Sequence, residues 1–308
     1  MLRLRPTVMP VATPHSLVGV HCAGGTLVSL AHPTDGESVL QRHDLGTLEP
    51  LVLRAFARVS LSPSGDTLAV AALPEDDAPG FLALFATEDW SERARLEVES
   101  VMGSVSWADD ARLVTGTIGQ AEGALVEVWS PSLERTHSVT VTGPFAEVSA
   151  HGDLVAAAGE ELHLWRVGSA VPFFHSSPDH PGSARYGYGT CGVVLDAERF
   201  AAHHFDRSPE DDESDIVTIR SFEDPLATGV AMMGPPAVYE LAASPSGDRL
   251  ALRLVTEPDE PTFVRVHDTR DGQLLATLDD TPVSHVAWVD DDTLVIAGGT
   301  LSAWRLER

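Results

Sequence analysis

The sequence predicts an all-β fold built from about seven copies of one small unit. Three observations predict it. Residues 61–73, LSPSGDTLAVAAL, have a near copy at 242–254, AASPSGDRLALRL, and the shared S-P-S-G-D begins at Ser62 and again at Ser244, 182 residues later. Apolar residues alternate on both sides of this core, the period-two pattern of half-buried strands. Weaker versions of the same strand–turn–strand pattern recur along the whole chain.

In the first clear copy, Leu68, Val70 and Ala72 share one parity after the turn, and Val59 and Leu61 share one before it. Gly65 and Asp66 supply the turn chemistry. The weaker copies are VGVHCAGGTLV (18–28), SVSWADDARLV (104–114), EVSAHGDLV (147–155), VVLDAERFA (193–201) and SHVAWVDDDTLV (284–295). With the two S-P-S-G-D copies they make seven. A third strand follows in each unit, marked by His43, Phe85, Trp129, Trp165, Arg220, His267 and Trp304. These markers are 42, 44, 36, 55, 47 and 37 residues apart. A period of about 40–45 residues with four short strands is the mark of a β-propeller. The S-P-S-G-D copies are then four blades apart.

At these residues the sequence resembles a WD-repeat-like, seven-bladed β-propeller with degenerate repeats. S-P-S-G-D is similar to that family's turn between the first two strands of a blade, and Trp129, Trp165 and Trp304 to its third-strand tryptophan. His43-Asp44 and His267-Asp268 come nearest to the Trp-Asp pair, which is absent. The resemblance implies a rigid platform for protein partners. The expected architecture is a single domain, 1–308, of four-stranded antiparallel blades at about 17–56, 57–100, 101–143, 144–182, 183–237, 238–282 and 283–308. The last unit ends after its third strand, and LRLRPTVM (2–9) has no other partner. Residues 2–9 are therefore expected to form the outer strand of the last blade and close the ring.

Composition excludes several functions. The chain has 308 residues, a net charge of −26, no lysine and no asparagine. Phosphate backbones and anionic membranes need clustered cations, so neither nucleic acid nor membrane is an expected partner. P-loop, Schiff-base-lysine and kinase chemistry each lack a required lysine. Both missing residues use A-rich codons, which points to a GC-rich, bacterial genome. No apolar run is long enough to span a bilayer, and prolines interrupt the N-terminal stretch where a signal peptide would lie. The expected location is the cytoplasm. Two cysteines, Cys22 and Cys191, make no disulfide framework.

In an antiparallel blade the second-to-third-strand loops and the inter-blade connections leave at one end, here called the loop end. The remaining turns leave at the other, the turn end. Three long connections fall at the loop end: PEDDAPG (74–80), DRSPEDDESD (206–215) and TEPDEPT (256–262). They carry twelve carboxylates against one arginine, Arg207. The expected contacts for a partner are Glu75, Asp76, Asp77, Glu210, Asp211, Asp212, Glu213, Glu257, Asp259 and Glu260. An acidic face of this kind complements a basic protein surface.

The fifth unit concentrates histidines. Its entry segment, FHSSPDHPGSARYGYG, holds His175, Asp179 and His180, and its second strand ends in HHFD with His203, His204 and Asp206. His180, His203, His204 and Asp206 are the only candidates for a metal site, but their spacing fits no recognised zinc motif. Packed or solvent-facing histidines are the simpler reading. Trp107 and Trp288 are expected in the core between blades, and Trp90 either packs over a blade edge or anchors a partner. Asp109, Asp110 and 290–292 are read as turn formers. G-x-S-x-G, H-E-x-x-H and a strand-to-helix G-x-G-x-x-G are absent. The sequence thus reads as a non-catalytic interaction scaffold without a cofactor, docking a basic partner or serving as a subunit of a larger assembly. The alternatives are a propeller enzyme, either a metal-assisted hydrolase or lactonase-like, and a small-molecule sensor. Both would use the channel mouth.

Overall fold

The computed structural model is all strand. It describes residues 3–6, 11–12, 17–33, 37–43, 49–73, 79–118, 123–141, 147–158, 162–169, 171–175, 186–206, 215–225, 229–233, 237–255, 262–279, 283–298 and 300–307. Among these residues no helix is long and apolar enough to cross a membrane. The strands form seven antiparallel sheets, six of four strands each and a seventh completed by the N-terminus. This is a seven-bladed β-propeller, with six blades made of consecutive strands and the seventh joining the last three strands to the first. The chain divides into two compact units, His21–His175 and Met1–Val20 with Ser176–Arg308.

The first unit holds nearly all of blades one to four. Blade two runs Ala57–Leu61, Thr67–Ala72, Gly80–Ala86 and Glu92–Val98. Blade three runs Met102–Asp109, Arg112–Thr117, Ala124–Trp129 and Arg135–Val141. Both faces of a middle strand are apolar because each packs on a different neighbour. Leu113 and Trp129 pack with Leu82 and Leu84 of blade two, while Val114, Val126 and Val128 pack with Val155 and Trp165 of blade four. Fully burying one such side chain is worth about 1.5–3 kcal/mol. Trp107 is buried, as expected, and its indole N–H donates to Ser60 O of blade two at 3.1 Å. The outer strand Glu92–Val98 instead shows arginines and glutamates to solvent, which protects the sheet edge.

The second unit repeats the scheme. Blade five uses Tyr186–Val194, Arg199–Asp206, Asp215–Ser221 and Val230–Met233. Blade six uses Ala237–Ala243, Arg249–Val255, Phe263–Asp268 and Leu274–Leu278. Trp288 is buried between blades six and seven, and its indole N–H donates to Ala242 O at 2.9 Å. Blade seven contributes His285–Trp288, Thr293–Ala297 and Thr300–Glu307. Its fourth strand is Arg3–Pro6, antiparallel to the last strand with Arg3 opposite Glu307 and Pro6 opposite Trp304. The paired core is thus 3–6, within the 2–9 expected from sequence, and Val11–Ala12 extends it along the same strand. Leu4 packs against the blade-seven core.

The third-strand marker position is buried in several blades but not uniform in chemistry. Trp129 donates to Thr115 Oγ1 on the second strand at 2.9 Å, and His43 lies 2.7 Å from Ser29 Oγ. Buried Arg220 bonds Thr218 and Pro225 O. His267 donates from Nδ1 to Gly272 O at 2.9 Å. Burial lowers the His267 pKa from 6.5, with the Arg265 charge adding to this and the Gly272 hydrogen bond opposing it.

Deleting residues 1–10 should lower the thermal midpoint by about 5 °C or more, since a paired edge strand and its packing are lost; an unchanged melting curve would contradict N-terminal closure. His267 titrates lower when folded than when unfolded. Its neutral form therefore costs nothing above pH 6.5, and stability falls as pH drops below 6.5, where the unfolded chain binds the proton first. Urea titrations of the wild type and His267→Phe between pH 5 and 8 should show the smaller pH slope in the variant.

Candidate interaction surface

The two ends of a blade carry different chemistry, and the turn end is fully built. In blade two, Gly65 N–H donates to Ser62 O, Thr67 N–H to Ser62 Oγ, and Thr87 Oγ1 to Gly65 O. Blade six repeats each bond with Gly247, Ser244, Arg249 and Thr269. Gly65 and Gly247 have φ of 76° and 72°, so glycine is required there. A Cβ at Gly247 would also meet Leu195 O of blade five at 2.5 Å. The duplicated sequence is therefore a duplicated turn in which the backbone presses against the preceding blade.

The following blade is held as well. Ser64 N–H donates to Asp110 Oδ1 of blade three at 3.0 Å, and Ser246 N–H to Asp291 Oδ1 of blade seven at 2.9 Å. Burial works against the charge of Asp291, but hydrogen bonds from Ser246 and Ser244 and the Arg249 charge outweigh it and hold the carboxyl below its usual range. Arginines add to the clamp. Arg112 bridges Asp109 and Asp153, Arg199 bonds Asp196 and Thr269, and Arg249 bonds Asp292 and the Asp291 carbonyl. Asp109 and Asp290 are the turn formers that the sequence implied, each accepting from the backbone N–H two residues on. The inter-blade role of Asp110 and Asp291 was not read from the sequence. The signal was present: S-P-S-G in one blade is followed by consecutive aspartates about 45 residues later.

The loop end is where the acidic connections leave. All ten expected contact residues, Glu75, Asp76, Asp77, Glu210, Asp211, Asp212, Glu213, Glu257, Asp259 and Glu260, lie outside the described residues. Their anchors are described. Each segment joins the second strand of its blade to the third, leaving Ala72, Asp206 and Val255 and re-entering at Gly80, Asp215 and Phe263.

At the foot of the blade-six loop lies a group of polar side chains. Glu240 sits opposite Arg253 in register and accepts its Nε–H at 3.2 Å. The other Glu240 oxygen is 3.5 Å from His285 Nδ1 of blade seven. The Arg253 guanidinium lies 5.3 Å from the ring centre of Tyr239, which is 52% exposed. This fixes Tyr239, Glu240 and Arg253 on the first two strands of blade six beside His285 on the first strand of blade seven.

Of the four metal candidates, His203 is buried and shares its strand with His204 and Asp206. His180 lies outside the described residues. His175 belongs with Phe174 to the outer strand of blade four, paired with His163 and Leu164, rather than to the blade-five entry. Among the described residues no group of three or more His, Cys, Asp and Glu is placed to hold a metal ion. Trp90 packs over a blade edge: its indole N–H donates to Glu49 O at the end of blade one, at 2.9 Å.

No protein-family model matches the chain, and no curated protein sequence matches it. Solved structures do. A chain of the Mitotic Checkpoint Complex is 14% identical with a TM-score of 0.73, over 99% of this chain and 96% of that one. The β-propeller domain of Myceliophteria thermophila Cps50 (Swd1) is 14% identical with a TM-score of 0.68, over 98% and 99%. Kuenenia stuttgartiensis hydrazine synthase is 13% identical with a TM-score of 0.70, over 98% and 99%. At such identities the likeness shows the fold alone.

Asp110→Ala and Asp291→Ala should each cost about 1 kcal/mol, because each leaves a turn N–H without its carboxylate. Their effects should add in the double variant, as for independent sites. Urea denaturation of the three variants measures this, and a neutral Asp291→Ala would show that the clamp contributes nothing.

Proposed function

We propose that the protein is a non-catalytic interaction scaffold of the bacterial cytoplasm, with WD-repeat-like blades, whose loop end docks a basic protein or a basic segment. The observation that carries this reading is the division of charge between the two ends. At the turn end, Asp109, Asp153, Asp196, Asp248 and Asp292 are each paired with an arginine. At the loop end, three connections place twelve carboxylates with a single arginine. Carboxylates in such excess, carried between the strands of a rigid sheet, raise the encounter rate and selectivity for a cationic partner.

The proposed contacts are Glu75, Asp76, Asp77, Glu210, Asp211, Asp212, Glu213, Glu257, Asp259 and Glu260. The Tyr239–Arg253 pair gives the blade-six loop an aromatic neighbour. A fold shared with a chain of the Mitotic Checkpoint Complex supports service within an assembly. The same fold in hydrazine synthase means that the architecture by itself does not decide between scaffold and enzyme.

The test uses an arginine-rich peptide as probe. Titration calorimetry should show binding that weakens from 50 to 200 mM salt. Replacing 210–213 with Gln-Asn-Asn-Gln should weaken it about tenfold and flatten its salt dependence. An unchanged affinity would move the interface away from the loop end.

A further inference from the structure

A second surface lies on the rim of blade three, apart from the proposed docking of a basic partner and not resting on it. The outer strand of each blade is a sheet edge, and an edge that is long and uncharged is a template for another strand. Six of the seven edges are blunted. Those of blades one, four and five are three, two and four residues long. Blade two carries Glu92, Arg93, Arg95 and Glu97 on its edge, and blade seven has two arginines and a proline in four residues. Blade six has five residues, Leu274–Leu278, none of them exposed.

Blade three is different. Its outer strand, Arg135–Val141, has seven residues and is the end strand of its four-stranded sheet. From Thr136 to Val141 it holds no Asp, Glu, Lys or Arg, and four of these six residues are β-branched. Val139 and Val141 are buried, while Thr136, Ser138 and Thr140 present a row of exposed hydroxyls. His137 donates from Nε2 to Ser169 O of blade four, and Ser169 Oγ donates to Val171 O at 2.8 Å. This brings Val171 and Phe173, 68% and 46% exposed, to the border of the same edge.

We propose that this strand pairs with the same strand of a second copy, antiparallel about a two-fold axis at Ser138. The strand is complementary to itself. Centring the axis on Ser138 overlaps all seven residues, with Thr136 opposite Thr140, Ser138 opposite Ser138 and Arg135 opposite Val141. Hydroxyls meet hydroxyls, and no like charges face each other. The same operation on the blade-two edge sets Arg95 against Arg95. Val171 and Phe173 at the border are withdrawn from water by the second copy. Each copy carries a net charge of −26, which opposes association. Charges separated by more than about 8 Å are largely screened at physiological salt. An antiparallel pair also sends the acidic blade-two connections of the two copies away at opposite ends.

The test is sedimentation velocity of the full chain over a wide range of protein concentration. The wild type should pass from monomer to dimer with a dissociation constant on the order of 100 µM, since one strand pair buries little area. Raising salt from about 50 to about 500 mM should tighten the dimer threefold or more, because it screens the repulsion between two acidic copies. This is the opposite sign to the docking of a basic partner, so the two readings fail separately. Ser138→Lys and Ser138→Glu should each sediment as a monomer, because each sets like charges opposite at the axis. Their equimolar mixture should dimerise at least as tightly as the wild type, with Lys now opposite Glu. Two misfolded variants would not rescue each other in this way. A wild type that stays monomeric at about 500 µM, well above the expected constant, would overturn the proposal. So would a dimer that Ser138→Lys leaves intact, a mixture no tighter than its components, or a dimer that salt weakens.

Discussion

A blade of this protein is a small sheet with two apolar faces, and neither face can be left in water. Leu82 and Leu84 lie among small residues such as Ala69 and Ala71, and they are buried only because Leu113 and Trp129 of the next blade cover them. Val264 and Val266 depend in the same way on Trp288, Leu294 and Ile296. No blade is stable alone, so every other feature serves to hold one blade in register with the next. The apolar contact supplies most of the free energy but little direction. The directional part comes from polar bonds that cross between blades: the Trp107 and Trp288 indoles to inner-strand carbonyls, and the turn N–H groups to Asp110 and Asp291.

These bonds are concentrated at the turn end. Several of the 20 arginines are committed there to aspartates of the same or neighbouring blades. In the proposed function, the carboxylates of the other end are the ones that meet a partner.

Much of the fold was legible because it is periodic. Strand parity, the S-P-S-G-D turn and the third-strand markers repeat at a near-constant interval, and residues 3–6 fill the one place left without a fourth strand. What was not legible joins residues about 45 apart with no local signature. Asp110 looks like any turn aspartate until Ser64 is seen beside it, and Arg249 gives no hint in sequence of its reach to Asp292. Trp90 was readable as an anchor or as edge packing, and only the bond to Glu49 separates the two. His175 lies within the 144–182 expected for blade four but was read with the entry to blade five, because that blade's outer strand is only two residues long. The acidic loops were legible as composition, and their role as contacts rests on charge and placement.

The central claim is that the turn end is a rigid clamp from which the loop end is presented. Residue-resolved amide hydrogen exchange at Ser64 and Ser246 tests it most directly. Both amides lie in exposed turns, where a free N–H would exchange at close to the rate of an unstructured chain. The account predicts slow exchange at both, approaching that of the strands beside them, because each N–H is held by the carboxylate of the next blade. Fast exchange at both would contradict it, showing that the turn N–H groups are not held by the next blade.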